Sequence, residues 1–117
     1  MEVTYTTHDG RMTAKIDGDD QKSIVEKIAA FSEVFEFEPC GKCDGTDIRF
    51  RVRKVADTKG KQHTYYEKKC FHCGAKLQFG QHSEGGSLFP KRYDSEKNES
   101  IGKYGWVKFN KESGQDE

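Results

Sequence analysis

No run of 18 apolar residues occurs in the chain, so no segment reads as a membrane-crossing helix. Core-forming side chains are scarce: 32% of the 117 residues are hydrophobic and 34% charged, with one Trp and two Met. A core this thin calls for a second source of stability, and a bound metal ion is one that small domains use. Net charge is zero, 20 basic against 20 acidic residues, which excludes a uniformly basic protein. The opening residues "MEVTYTTHDG" hold neither a basic n-region nor an apolar h-region, so no secretory signal is expected. No HExxH is present, and Pro39-Cys40-Gly-Lys-Cys43 matches only the second half of a zinc-deaminase signature. The chain is therefore expected to be cytoplasmic and not an enzyme.

The zero total conceals an uneven distribution. Residues 1–38 carry nine acids and four bases, net −5; residues 39–92 carry five acids and twelve bases, net +7; residues 93–117 carry six acids and four bases, net −2. A basic middle between acidic ends suggests a polyanionic partner for the middle.

Hydrophobic periodicity predicts an α+β chain. "VTYTTHDGRMTAKI" reads as a β-hairpin, with Asp9-Gly10 as a two-residue type I′ turn. "DGDD" opens a helix, with Asp20 or Ser23 as N-cap and Ser23-Ile-Val-Glu26 as a capping box. The helix is expected to reach residue 37, burying Ile24, Ile28, Phe31 and Phe35 with Val25 and Ala29 beside them. Glu33, Glu36 and Glu38 crowd its C-terminal end, against the macrodipole, which favours cations there. "TDIRFRVRKVA" is a strand, "DTKG" a turn, "KQHTYYEKK" the returning strand and "AKLQFG" a third. Residues 81–92 read as a loop, with Phe89 expected to clip it onto the strands. "WVKF" reads as a last short strand, and "NKESGQDE" as frayed. The expected division is a ββα module over 1–38, a metal-binding and basic part over 39–92, and a polar, partly flexible extension over 93–117.

The chemistry is concentrated in two Cys-x-x-Cys pairs, Cys40/Cys43 and Cys70/Cys73, with 26 residues between them. Thiols of a reducing compartment are better read as metal ligands than as disulfides. The predicted hairpin between the pairs brings four sulfurs together, and a structural Zn²⁺ takes four thiolates at about 2.3 Å. Gly41 and Gly74 suit the sharp turns. Free core thiols, a redox pair and an iron–sulfur cluster are the alternatives. Four Cys ligands fill a tetrahedral shell, whereas a catalytic zinc keeps a position open. His72 lies between two ligands, and His63 and His82 have no obvious partner, so the metal is expected to support a surface.

That surface is basic. Arg49, Arg51 and Arg53 fall on one side of a strand with Lys54 at its end, and no acid lies among them. Tyr65, Tyr66, Lys68 and Lys69 follow on the return, then Phe71 and Lys76, with Lys91 and Arg92 as a second basic step. Cations that meet phosphates, interleaved with rings that stack on bases, are what single-strand binding requires.

Two Cys pairs flanking a hairpin resemble the zinc-ribbon class over residues 39–80, here a ribbon of about three antiparallel strands. The wider layout, "TTHDGRMTAKI…SIVEKIAAFSEVFE" followed by the ribbon and "FGQH…GGSLFPKRYD…GKYGWVKF", looks like small zinc-ribbon proteins encoded by bacteriophages, some of them single-stranded DNA-binding. The resemblance implies structural zinc and an activity in phage DNA metabolism within the host cytoplasm, on DNA in preference to RNA. Two rival readings stand beside it. One is a protein-interaction module that docks on a host or phage protein through the acidic N-terminal helix region. The other is a hydrolase in which His63, His82 and Asp57 meet in space. Pairing of two copies through the N-terminal hairpin edge is left open.

Overall fold

The computed structural model describes residues 1–83 and 85–117. Glu84, within the loop expected over 81–92, lies outside the described residues. The fold is mixed α+β, with one helix and several antiparallel strands in small sheets. Among the described residues, no helix is long and apolar enough to cross a membrane. The chain forms two compact units: residues 1–38 with 81–89, and residues 39–80 with 90–117.

In the first unit, β1 (Glu2–Thr6) pairs antiparallel with β2 (Thr13–Asp17). The hairpin is present, but not the two-residue turn. Thr6 pairs with Thr13, which leaves residues 7–12 as the loop. Gly10 has φ 73°, while Asp9 is not among the residues at positive φ, and a type I′ turn needs both. Buried Thr7 organises the loop instead. Its N–H donates to the Met12 carbonyl at 2.9 Å, its carbonyl accepts the Gly10 N–H at 2.8 Å, and its hydroxyl donates to Asp9 Oδ1 at 2.6 Å. Short polar side chains bonding nearby backbone compete with tighter turns in this way.

The helix α1 spans Gln21–Phe35, two residues short of the expected end. Asp20 is the N-cap, accepting the Ser23 N–H at 2.8 Å. Ile24 and Val34 are buried, while Val25 and Ala29 face out. Phe31 meets Tyr5 edge-on at 5.9 Å and lies 4.7 Å from Phe35. The acid at the unfavourable helix end has a use. Glu36 is the C-cap, and its carboxylate accepts the Tyr5 hydroxyl at 2.8 Å and the His8 N–H at 2.7 Å, with His8 Nδ1 alongside. It ties the hairpin loop to the helix end.

The second unit is organised by β3 (Ile48–Ala56), β4 (Gln62–Cys70) and β5 (Lys76–Gln81), whose bounds follow the expected strands closely. Within it the sheet order is β3-β4-β5; β6 is Leu88–Pro90. Two short ladders follow, β7 (Tyr93–Asp94) with β8 (Glu99–Ser100) and β10 (Phe109–Asn110) with β11 (Gln115–Asp116). Between them, β9 (Trp106–Val107) pairs with β5. Lys103 and Trp106 exchange backbone hydrogen bonds at 3.0 and 2.9 Å across Tyr104 (φ 53°) and Gly105 (φ 90°). The two consecutive positive φ values that "DG" was expected to supply thus occur here. Lys108 and Glu117 also exchange both backbone bonds, at 2.8 and 2.9 Å, so pairing reaches the segment expected to fray.

The main core cluster of this unit is fully buried: Cys40, Cys70, Ala75, Leu77 and Trp106, with Ile48 and Cys73 packed against it; Phe79 and Val107 are also buried.

Glu36→Gln is expected to lower the melting temperature, because a neutral amide accepts these bonds less strongly. Burial raises the Glu36 pKa, but the His8 N–H, the Tyr5 hydroxyl and the His8 ring outweigh it and hold the carboxyl below 4.5. A depressed folded pKa contributes stability present above the ordinary value and lost as pH falls through the folded one. Thermal melts of both proteins across pH should therefore show the gap closing below about pH 4.5.

Candidate metal centre

The two Cys turns share one backbone plan. The Cys40 N–H donates to the Gly45 carbonyl at 2.9 Å, and the Asp44 N–H returns to the Cys40 carbonyl at 2.9 Å. In the second turn, Cys70 N–H to Ala75 (2.8 Å) and Gly74 N–H to Cys70 (2.9 Å) repeat it. The residue after each second Cys is left-handed: Asp44 at φ 59° and Gly74 at φ 83°. Gly74 thus serves the turn as expected, but Gly41 serves packing. A Cβ at position 41 would lie 2.6 Å from Trp106 Cδ1 and 2.9 Å from the Lys103 carbonyl oxygen.

The turns direct backbone N–H groups at sulfur. Lys42 donates to Cys40 Sγ and Gly45 to Cys43 Sγ, both at 3.3 Å, and Ala75 to Cys73 Sγ at 3.5 Å. The sulfurs of Cys40 and Cys73 are 3.6 Å apart, as are those of Cys43 and Cys70, and all four lie within 4.8 Å of one another. A disulfide needs about 2.05 Å. Tetrahedral sulfurs at about 2.3 Å from an ion stand about 3.8 Å apart. The four residues therefore fit a metal ion, and the described residues hold no other cluster of three or more metal-ligating side chains. His72 is not in the set. Its ring lies against Gly45, where an added Cβ would sit 2.7 Å from Cδ2.

The thiols are electrostatically unequal. Burial pushes the Cys40 pKa up. At Cys43 the Gly45 N–H pulls down, but desolvation and the neighbouring thiols push the pKa up to about 12. Burial also opposes ionisation of Cys70, yet the N–H groups of Cys73 and His72 and the thiols of Cys43 and Cys40 bring it to about 7. The N–H groups around Cys70 favour its thiolate, and a cation among the sulfurs would favour the thiolate of the others.

The same sheet carries the basic residues. Directly opposed residues of an antiparallel pair share a face. The register pairs Arg49 with Lys69, Arg51 with Glu67 and Arg53 with Tyr65, and continues Lys69 to Lys76 on β5. Lys54, Tyr66 and Lys68 fall on the opposite face, opposed to Thr64, Val52 and Phe50, and Lys68 is only 3% exposed. These three do not join the arginine row. Phe50 and Val52, the apolar partners of that strand, are 53% and 56% exposed. Lys91 bonds through its backbone N–H to Gln78 at 2.9 Å and lines a cavity with Asp94, Lys97, Glu99 and Asp116. Arg92 donates to the Tyr104 carbonyl. The ring partner of Phe89 is His82, at 4.9 Å.

The arginine row is not free of acids. Arg49 donates from Nε and Nη2 to the two oxygens of Asp47 at 3.0 and 3.1 Å. Glu67, with a side chain 0% exposed, accepts Arg51 Nε at 2.9 Å and Arg53 Nε at 3.2 Å. Lys76 pairs with Asp116 at 3.2 Å. The expected turn over 57–60 would put residue 66 opposite 51; the loop is in fact 57–61, since Ala56 pairs with Gln62, and that one-residue shift brings Glu67 opposite Arg51. His63 and Asp57 do meet, at 3.0 Å, but the Asp57 carboxylate also accepts the Lys59 and Lys61 N–H groups at 2.9 Å, so the pair closes the hairpin turn.

No family model, curated protein or solved structure matches this chain.

One divalent ion per chain is expected to protect all four thiols from alkylation, and a chelator to expose them. Because Cys40 and Cys43 must lose protons at any neutral pH, apparent metal affinity should fall as pH drops, and more steeply below about 7, where Cys70 takes up its proton as well. Titration with a metal-binding dye across pH reads this. Gly41→Ala should cost about 1–3 kcal/mol in denaturant unfolding, because the added methyl overpacks against Trp106.

Proposed function

We propose that the chain is a zinc-ribbon protein that binds single-stranded nucleic acid, DNA in preference to RNA, through the Arg49/Arg51/Arg53 face, with little sequence preference. The observation that carries this reading is the composition of one sheet face. Arg49, Arg51, Arg53, Lys69 and Lys76 bring five positive charges, while Asp47, Glu67 and Asp116 return three negative ones. The face keeps a positive excess and holds Phe71 and Tyr65 among its cations. Phosphate neutralisation supplies affinity without sequence information.

Zinc is the ion of this proposal, because four thiolates favour zinc or an iron–sulfur cluster and a tetrahedral four-sulfur shell suits a single zinc. Its part is structural. Cys70 ends β4, so an ion bound there fixes the end of the strand that carries Lys69 and Glu67. The phage setting suggested by the sequence resemblance, with action in the host cytoplasm, belongs to the same reading. The acidic helix end that would serve a protein-docking module instead is partly consumed within the fold, since Glu36 holds Tyr5 and His8.

Fluorescence anisotropy with labelled single-stranded DNA, duplex DNA and RNA over a salt series tests the proposal. The expected result is single-strand binding that weakens steeply with salt and is lost in the double variant Arg49→Glu/Arg51→Glu. No binding at low salt by the zinc-loaded chain, or binding indifferent to the charge reversal, overturns it.

A further inference from the structure

The arginines are held in a way that bulk charge does not require. Arg49 Cζ lies 4.1 Å from the Phe71 ring centroid, and Arg53 Cζ lies 4.7 Å from that of Tyr65. Each guanidinium is also tied through its own N–H groups, Arg49 to Asp47 and Arg53 to Glu67. A guanidinium whose in-plane donors are engaged still has π-faces for stacking. Arg51, between them, shares Glu67.

Glu67 is the unusual member. It is a carboxylate with a side chain 0% exposed and both oxygens accepting from arginines. Such buried ion pairs add little net stability over well-packed apolar residues. What this one supplies is fixed direction for two long, otherwise mobile side chains. The second Cys turn does the same for Phe71: its N–H donates to the Asp47 carbonyl at 2.9 Å, and its ring is 49% exposed under Arg49.

We infer that the Arg49–Phe71 and Arg53–Tyr65 pairs are two base-stacking platforms, with Glu67 as their positioning residue, so that the ligand class is an extended, unpaired strand bound by its bases as well as its phosphates. This rests on the nucleic-acid reading above. Same-face residues on β3 recur about every 7 Å, which puts the platforms about 13 Å apart. That separation is near two phosphate steps of an extended strand, leaving Arg51 opposite the phosphate between. Lys69, 5.5 Å from the Phe71 centroid, and Lys76 beyond it supply the remaining phosphate contacts. A duplex keeps its bases inside the stack and cannot use the platforms.

The test compares oligothymidylate with an abasic oligonucleotide of equal phosphate number, by anisotropy at fixed salt, using the zinc-loaded full chain. The base-bearing strand is expected to bind roughly thirtyfold tighter, from about 1 kcal/mol at each of two stacked bases. Phe71→Ala should cut that ratio by lowering affinity for the base-bearing strand several times more than for the abasic one. Glu67→Gln removes a negative charge from the face and loosens the arginines. It should therefore lower the ratio yet steepen the salt dependence, an opposite pair of changes that mere loss of folding does not produce. Should Glu67→Gln fail to fold, Phe71→Ala carries the test alone. Equal affinity for both strands overturns the platforms and leaves phosphate binding standing. No binding of either overturns both.

Discussion

Four sulfurs within 4.8 Å of one another cannot all ionise without a cation among them. The rest of the second unit follows from that constraint. The main buried cluster of this unit is five residues, two of which are the ligands Cys40 and Cys70. Trp106, the largest of the five, packs where Gly41 leaves room between the ligands of the first turn. An ion held by the four cysteines would join residue 40 to residue 73 and close the hairpin between them, in a chain with little apolar surface to close it by burial alone. The N–H groups aimed at sulfur spread part of the negative charge into the backbone, so the turns are shaped for thiolates rather than thiols.

The sheet face beside this centre shows how charge and geometry combine. Three arginines in a row would repel one another and sample many rotamers. Asp47 and Glu67 remove part of the repulsion and most of the freedom, and the Phe71 and Tyr65 rings supply surfaces for the guanidiniums. The face keeps a positive excess, now in fixed directions. Preorganisation of this kind limits the entropy a ligand must supply on binding.

Most of the middle of the chain was legible because its signals are local. Alternation marked β3, the spacing of the Cys pairs marked the ligands, and Asp20 preceded the helix it caps. What was not legible depends on register and on long-range partners. The arginine row looked free of acids along the sequence, yet Glu67 meets it across the hairpin. Tyr66 and Lys68 looked like neighbours of Lys69 but project from the other side of the sheet, because strand residues alternate. The Asp9-Gly10 turn was overridden by Thr7, whose buried hydroxyl offers the loop another set of bonds. Gly41 stands at a sharp turn, but the reason for a glycine there is an indole brought in from residue 106. Trp106 stood in a segment of low apolar content, and its burial could not be inferred from neighbours that are mostly polar.

An ion at the four cysteines is expected to organise the sheet that bears the basic face. Amide hydrogen exchange of the zinc-loaded chain, with and without a chelator, tests it most directly. Removing the ion is expected to abolish protection across β3, β4, β5 and β9. Protection in those strands that is unchanged by chelation would contradict it.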